Sequence, residues 1–171
     1  MPMRVKLIAA IDESRGIGKD NKLPWKLSHD LRFFSRTTRG SGNNAVLMGR
    51  HTWEAISSTP LPQRYNVVVS TTATIPDEHS QNAVVYSDPA AAVQHCRDMG
   101  FDELWIIGGA AIYDTFLNGE LSGVVEKCVI TQVAGTHECD AFFPECQQWT
   151  EAFVTADDTT GLVVKHLKRA S

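Results

Sequence analysis

The stretch "ELWIIGGAAIYDTFLNG", Glu103 to Gly119, changes period halfway along. Its first part is an almost unbroken apolar run, the pattern of a strand buried on both faces. Gly108-Gly109 interrupts the run, and Ala110 onward reads as a short helix closing at Gly119. A buried strand delivered through glycines into a helix is the repeating unit of an α/β fold.

Similar units lie on either side. Strand-like runs occur at 5–11, 44–49, 65–70, 83–87 and 126–133. "SDPAAAVQHCRDMG" offers Asp88 as cap, Pro89 at the first helical position and Gly100 as terminator. Strand and helix alternate in this way over most of the chain, which predicts a mostly parallel sheet with right-handed crossovers. "EKCVITQV" and "GLVVKHLKR" alternate apolar with polar residues, as strands of an antiparallel edge region do. The expectation is a three-layer α/β/α domain over 1–171, with a central, mostly parallel sheet and an antiparallel C-terminal strand. No repeat or linker divides it, and the longest irregular stretch, Asp12 to Lys26, has the length of a binding loop or lid.

Composition narrows the function classes. The chain has 171 residues, 43% hydrophobic and 21% charged, with a net charge of −4. That is enough for a full core and gives no basic stripe, so no nucleic-acid partner is expected. No apolar window is long enough to span a bilayer, and the N-terminal apolar run is too short for a signal peptide. No membrane partner is expected, and the expected location is cytoplasmic. His137, Cys139 and Cys146 cluster in "HECDAFFPEC", but no fourth ligand follows at a zinc spacing, so the four cysteines are read as free thiols and no metal is expected.

"GKDNKLPWKLSHDLRFF", Gly18 to Phe34, holds the candidate reactive group. At about 100° per residue, Leu27, Leu31 and Phe34 share one arc of a helix, and Asp30 falls inside it. Ser28, His29, Arg32, Ser35 and Arg36 lie opposite. One reading makes Ser28 the helix cap and Asp30 a first-turn partner of the helix dipole. The other makes Asp30 a carboxylate aimed into an apolar setting, where it needs a partner with paired N–H donors or a proton. Trp25, just before it, is either a core residue or a donor beside that carboxylate.

Three other places suit anions. "MGRHTWEAI" begins a helix after a strand, with Gly49, Arg50, His51 and Thr52 at its start, where backbone N–H groups favour negative charge. Arg50 and His51 there either meet an anion or face water. Gly108-Gly109 either lets a ligand approach the backbone or only makes a tight turn; the G-x-G-x-x-G fingerprint is absent. In "LPQRYNVVVS", Arg64 precedes a buried strand and suits a bidentate carboxylate, while Ser70 and Thr71 follow its other end.

Taken in order, "IAA", "GIGKDNKLPW", "HDLRFF", "MGRHTWEAI", "LPQRYNVVVS", "IIGGAAIY", "VITQV" and "DAFFP" resemble dihydrofolate reductase from Ile8 to Pro144. The resemblance implies reduction of 7,8-dihydrofolate to 5,6,7,8-tetrahydrofolate with NADPH, in support of one-carbon metabolism and thymidylate synthesis. It implies that Asp30 holds the pterin through N3 and the 2-amino group and promotes protonation at N5, with Thr131 supporting it and Trp25 ordering a water. Ile8, Ala9, Ala10, Leu31, Phe34, Ile56, Leu61, Ile107 and Tyr113 match the substrate pocket, and Arg64 the arginine that grips the α-carboxylate of the glutamate tail.

For the cofactor, Ala10, Ile17 and Ile107 match positions near the nicotinamide, and Gly18, Asn21, Lys22 and Leu23 the mobile loop that closes over it. Gly49, Arg50, His51, Thr52, Val69, Ser70 and Thr71 match the pyrophosphate and adenosine end. Gly108 and Gly109 match a pair whose peptide is cis in this family, followed by Ala110, Ala111, Ile112 and Tyr113. Asp30 is the shorter acid where vertebrate members have Glu. Thr71 stands where they place an arginine beside the 2′-phosphate, which leaves NADPH selectivity to Arg50. Antifolate inhibitors are implied ligands, and a monomer is expected. The rivals are a related pyrimidine or pterin reductase and a folate- or nucleotide-binding protein without turnover.

Overall fold

The computed structural model describes residues 2–18, 28–157 and 160–170, with no side-chain description for Ser28 and His29. In chain order the strands are β1 Arg4–Ile11, β2 Gly16–Gly18, β3 Asn44–Gly49, β4 Tyr65–Val69, β5 Ala83–Tyr86, β6 Glu103–Ile106, β7 Lys127–Gln132, β8 Ala141–Phe142, β9 Trp149–Ala156 and β10 Val163–Arg169. The helices are α1 Ser28–Arg39, α2 Arg50–Ala55, α3 Pro89–Met99 and α4 Ala110–Leu117. Eight strands form one sheet in the order β5-β4-β3-β6-β1-β7-β10-β9, and β2 pairs with β8 beside it.

The strand and helix alternation read from the sequence is present. β5 to β7 across that order pair in parallel, while β10 runs antiparallel to both β7 and β9. Successive strand residues enter opposite layers of the core. Leu7, Leu47 and Val67 pack with Ile112, Phe116 and Cys96 of α4 and α3. Ile8, Val46, Met48 and Val68 pack with Trp53 of α2 and Phe33 and Phe34 of α1 on the other face. This period-2 partition of nearly all-apolar strands is what makes three layers. α3 begins as its sequence predicts, with the Asp88 side chain accepting from Ala91 N, and ends at Gly100 with φ of 81°.

Three expectations need correction. β7 is not in an edge region: it lies between β1 and β10, and Cys128 to Thr131 are all buried. Its polar Thr131 mimics alternation because one face of the strand looks into a cleft. The antiparallel C-terminal part is two strands, since β9 was not apparent from an exposed, mixed stretch. The stretch from Asp12 is not wholly irregular, because β2 lies within it and Gly16 and Gly18 register with Phe142 and Ala141. No helix among the described residues is long and apolar enough to cross a membrane.

Candidate active site

The connection after β3 leads to β4 on one side, whereas that after β6 leads past β1 to β7 on the other. Neighbouring parallel strands whose connections part in this way open a crevice at their C-terminal ends. There Gly49 N donates to Gly108 O at 2.8 Å, and Gly49 and Gly109 stand as N-caps of α2 and α4 with no side-chain cap. The first-turn amides of both helices are therefore not answered by a capping side chain. The Gly108–Gly109 peptide is cis. A Cβ on Gly49 would lie 3.0 Å from Ile112 Cγ1, and one on Gly108 3.0 Å from the Tyr113 ring, so close approach accounts for both glycines.

From this crevice a cleft of about 860 Å³ runs between the sheet edge and α1. β1 contributes Ile8, Ala9 and Ala10; β2 contributes Ile17 and Gly18; Thr131 of β7 lies beside Ala10 in register. Asp30, Leu31 and Phe34 of α1 form the opposite wall, and Ile56, Leu61 and Arg64 close one end. At the other end are Gly49, Arg50, His51, Thr52, Val69, Ile107 and Gly109 to Tyr113.

Asp30 is buried, at 5% exposure, although it lines this cleft. Leu31, beside it, is 52% exposed. Leu31 and Phe34 of the apolar arc line the cleft together with Asp30, and Phe34 also packs against the core beneath it. Tyr113 is fully enclosed. Burial holds its phenol well above the usual value, with the nearby Cys128 and Asp30 adding to the effect. It stays protonated and donates to Ile8 O at 2.8 Å, which ties α4 to β1 under the cleft.

Arg64 is buried at 8% exposure. Its Nε donates to Pro62 O at 2.9 Å and its Nη1 to Thr38 Oγ1 at 3.0 Å. Burial lowers its pKa, and the charge of Arg39 adds to this. The described partners are neutral acceptors, so the fork is aimed but its charge is unanswered by a carboxylate of the described residues. Asn66 shapes the turn before it, accepting from Leu61 N and donating to Leu61 O and Arg64 O.

Most residues picked out from the sequence come together here. Gly108 contributes its carbonyl to Gly49 rather than a cleft surface, and Ser70 and Thr71 lie just past Val69. Ser70 Oγ accepts from Thr72 N and Ala73 N in a local turn. Asn21, Lys22, Leu23 and Trp25 lie outside the described residues, as does the Ser28 cap. Sequence reading missed Ser35, Ala55 and Ala141, which also line the cleft. Ser35, read from the sequence as lying opposite Leu31, lines the cleft beside it, because it stands one turn further along the same side of the helix. Ala141 has no local signal, because the pairing of β8 with β2 brings it in.

A crevice at the switch point with open helix amides, continuing into an apolar cleft around one acid, defines a nucleotide-binding α/β enzyme. A model of the family described as dihydrofolate reductase matches residues 4–165. The chain is 36% identical to dihydrofolate reductase HdrB of Haloferax volcanii over 163 residues, covering 93% of this chain and 80% of the relative. It is 34% identical to dihydrofolate reductase of Bacillus subtilis (strain 168), over 91% of this chain and 84% of the relative. Against dihydrofolate reductase of Schistosoma mansoni it is 33% identical, over 84% and 79%. The chain belongs to the dihydrofolate reductase family. Its reaction is the NADPH-dependent reduction of dihydrofolate.

The residues present fit that cofactor. Two adjacent glycine-capped helix starts, with Arg50 and His51 in the first turn of one, suit the anionic middle of a dinucleotide. Arg50 Nη1 bonds Glu54 Oε1 at 3.0 Å on an exposed surface, a pairing weak enough to be exchanged for a phosphate.

Proposed function

We propose that Asp30 holds the pterin of 7,8-dihydrofolate through N3 and the 2-amino group, and that Arg64 binds the α-carboxylate of its glutamate tail. The observation that carries this reading is the placement of the two groups. A buried carboxylate and a buried, aimed guanidinium lie in one cleft, separated by the apolar wall of Leu31, Phe34, Ile56 and Leu61. An amidine-like ring edge, an apolar middle and a carboxylate tail are complementary to that sequence of surfaces.

Gly49 to Thr52, with the start of α4, would hold the pyrophosphate of NADPH, and Ile17, Ala10 and Ile107 the nicotinamide. When bound, NADPH supplies the hydride that goes to C6. The chain's own part is the other half of the reaction. Ile8, Leu31 and Phe34 exclude bulk water from around Asp30, and Asp30 promotes arrival of a proton at N5. Thr131 supports the carboxylate from the sheet, and Tyr113 locks the backbone at Ile8 beneath the ring. Residues 1–171 act as one domain in this reading. Antifolates would meet Asp30 with the same paired donors. Cys96 and Cys128 are buried free thiols, which supports a reducing, cytoplasmic setting.

The test is loss of reduced-nicotinamide absorbance when dihydrofolate is added to the chain with NADPH, repeated with NADH. Turnover that depends on dihydrofolate and favours NADPH is expected. Tight binding of both without turnover would overturn the catalytic reading and leave a folate-binding protein.

A further inference from the structure

At the end of the sheet opposite the glycine crevice, where β3 and β6 begin, Lys6, Asn44, Glu103 and Trp105 form one polar cluster. Asn44 stands beside Glu103 in register, and Lys6 of β1 beside Trp105 of β6. The Glu103 carboxylate accepts from Lys6 Nζ, from Trp105 Nε1 at 3.2 Å and from Asn44 Nδ2 at 3.1 Å. Lys6 also lies over the Trp105 ring, 5.5 Å from its centroid. Burial acts to raise the pKa of Glu103, but Lys6, Trp105 and Asn44 outweigh it and hold the group below the usual carboxylate value. None of these four residues lines the cleft.

What the cluster grips is the end of α1. The last carbonyls of a helix have no partner within it. Arg36 O and Arg39 O are answered by Gly40 N and Gly42 N, and Thr38 O by Asn44 Nδ2 at 3.0 Å. Asn44 is buried and uses both amide hydrogens, one on Thr38 O and one on Glu103. These two acceptors require the NH2 edge of the amide, and Oδ1 on the other edge is left without a hydrogen-bond partner among the described residues. Such an arrangement is unfavourable unless the donating edge is needed where it is. Gly40 makes room for it. Its φ is 50°, and a Cβ there would lie 2.6 Å from Asn44 Nδ2, so the turn that leaves α1 is shaped around this amide.

Thr38 is also the residue whose hydroxyl receives Arg64 Nη1 at 3.0 Å. Polar contacts therefore run without a break from Lys6 through Glu103, Asn44 and Thr38 to Arg64. We infer that Asn44 and Glu103 are positioning residues for the substrate's tail carboxylate: they fix Thr38 and, through it, the aim of the Arg64 guanidinium, without touching substrate or cofactor. This rests on the assignment of Arg64 to the tail.

Steady-state kinetics on Asn44→Ala, Glu103→Gln, Arg64→Gln and the double variant Asn44→Ala/Arg64→Gln test it. Asn44→Ala raises KM for dihydrofolate about fivefold, the equivalent of one buried hydrogen bond, while kcat and KM for NADPH stay within about twofold. Glu103→Gln keeps the side-chain volume but cannot accept from all three donors, and raises the same KM by about twofold or more. In the Arg64→Gln background Asn44→Ala has no further effect, since the group it aims is gone. Thermal midpoints above the assay temperature establish that each variant is folded, and should Asn44→Ala fall short of that, the cycle is run with Glu103→Gln in its place. An unchanged KM for dihydrofolate in either folded variant, a parallel loss of kcat and NADPH affinity, or full additivity with Arg64→Gln would overturn the proposal. If Arg64→Gln itself leaves KM unmoved, it is the assignment of the tail to Arg64 that fails.

Discussion

Thr38 Oγ1 gives its proton to Phe34 O at 2.8 Å and receives Arg64 Nη1 at 3.0 Å. One hydroxyl therefore anchors a guanidinium from another element to the helix that carries Asp30. The two charged groups that Asp30 and Arg64 bring to the cleft are thereby tied to one helix.

Arg64→Gln should raise KM for dihydrofolate by about tenfold to a hundredfold, the loss of a charge-assisted pair of about 1.5–3 kcal/mol, with kcat moving much less. Thr38→Val keeps the shape but removes the acceptor, and should cost about 1 kcal/mol in the same parameter. A fall in kcat alone, with KM unmoved, would show that Arg64 does not hold the tail.

Asp30→Asn is nearly isosteric, so thermal melting should change little. Turnover at neutral pH should fall by about 10² or more, the scale of a lost acid–base group. Activity should recover partly at acid pH, where the substrate protonates in solution. Parallel loss of activity and melting temperature would return Asp30 to a purely structural role at the helix start.

Asp12 gives a stability prediction. Burial acts to raise its pKa, but bonds from His137 N, Gly16 N and Ser14 N, with the Cys139 thiol, outweigh burial and hold it below 3.8. A depressed folded pKa means that the ionised carboxylate stabilises the fold above its unfolded pKa, and that this contribution is lost as pH falls through the folded value. Asp12→Ala leaves three amides without that acceptor and should cost about 2–4 kcal/mol at neutral pH. The deficit relative to the native chain should shrink below about pH 4 in urea titrations. A constant deficit across pH would contradict the ionised latch.

Gly108→Ala meets both the Tyr113 ring at 3.0 Å and a φ of 110° that a side chain disfavours. It should destabilise by about 2–4 kcal/mol and raise KM for NADPH. Gly109→Ala is the milder control, because its Cβ would meet only Thr52 Oγ1, at 3.7 Å. Equal effects of the two substitutions would remove close packing as the cause.

The repeating units were legible in the chain because each carries its own signal. Asp88 with Pro89, the closing Gly100 and the apolar run before Gly108 act locally, and the structure keeps all of them. The pairing of β2 with β8 was hidden, since Gly16–Gly18 is too short to show a period. β7 misled, because Thr131 looks like an outward polar residue until the cleft is seen. On α1, Leu31 and Phe34 were given as pocket positions by the family resemblance, and only the packing of α1 against the sheet shows the cleft they line.

What the sequence determined by itself was the main strand and helix units, the family resemblance and the candidate acid, because hydrophobic period, caps and motif order are properties of neighbouring residues. Which of them meet was decided by tertiary structure. Arg64 reaches Thr38, and Asp12 joins its own turn at Ser14 and Gly16 to His137 and Cys139, because strand order and helix docking place distant residues side by side. Contacts of that kind follow from packing the whole sheet, and no local stretch encodes them.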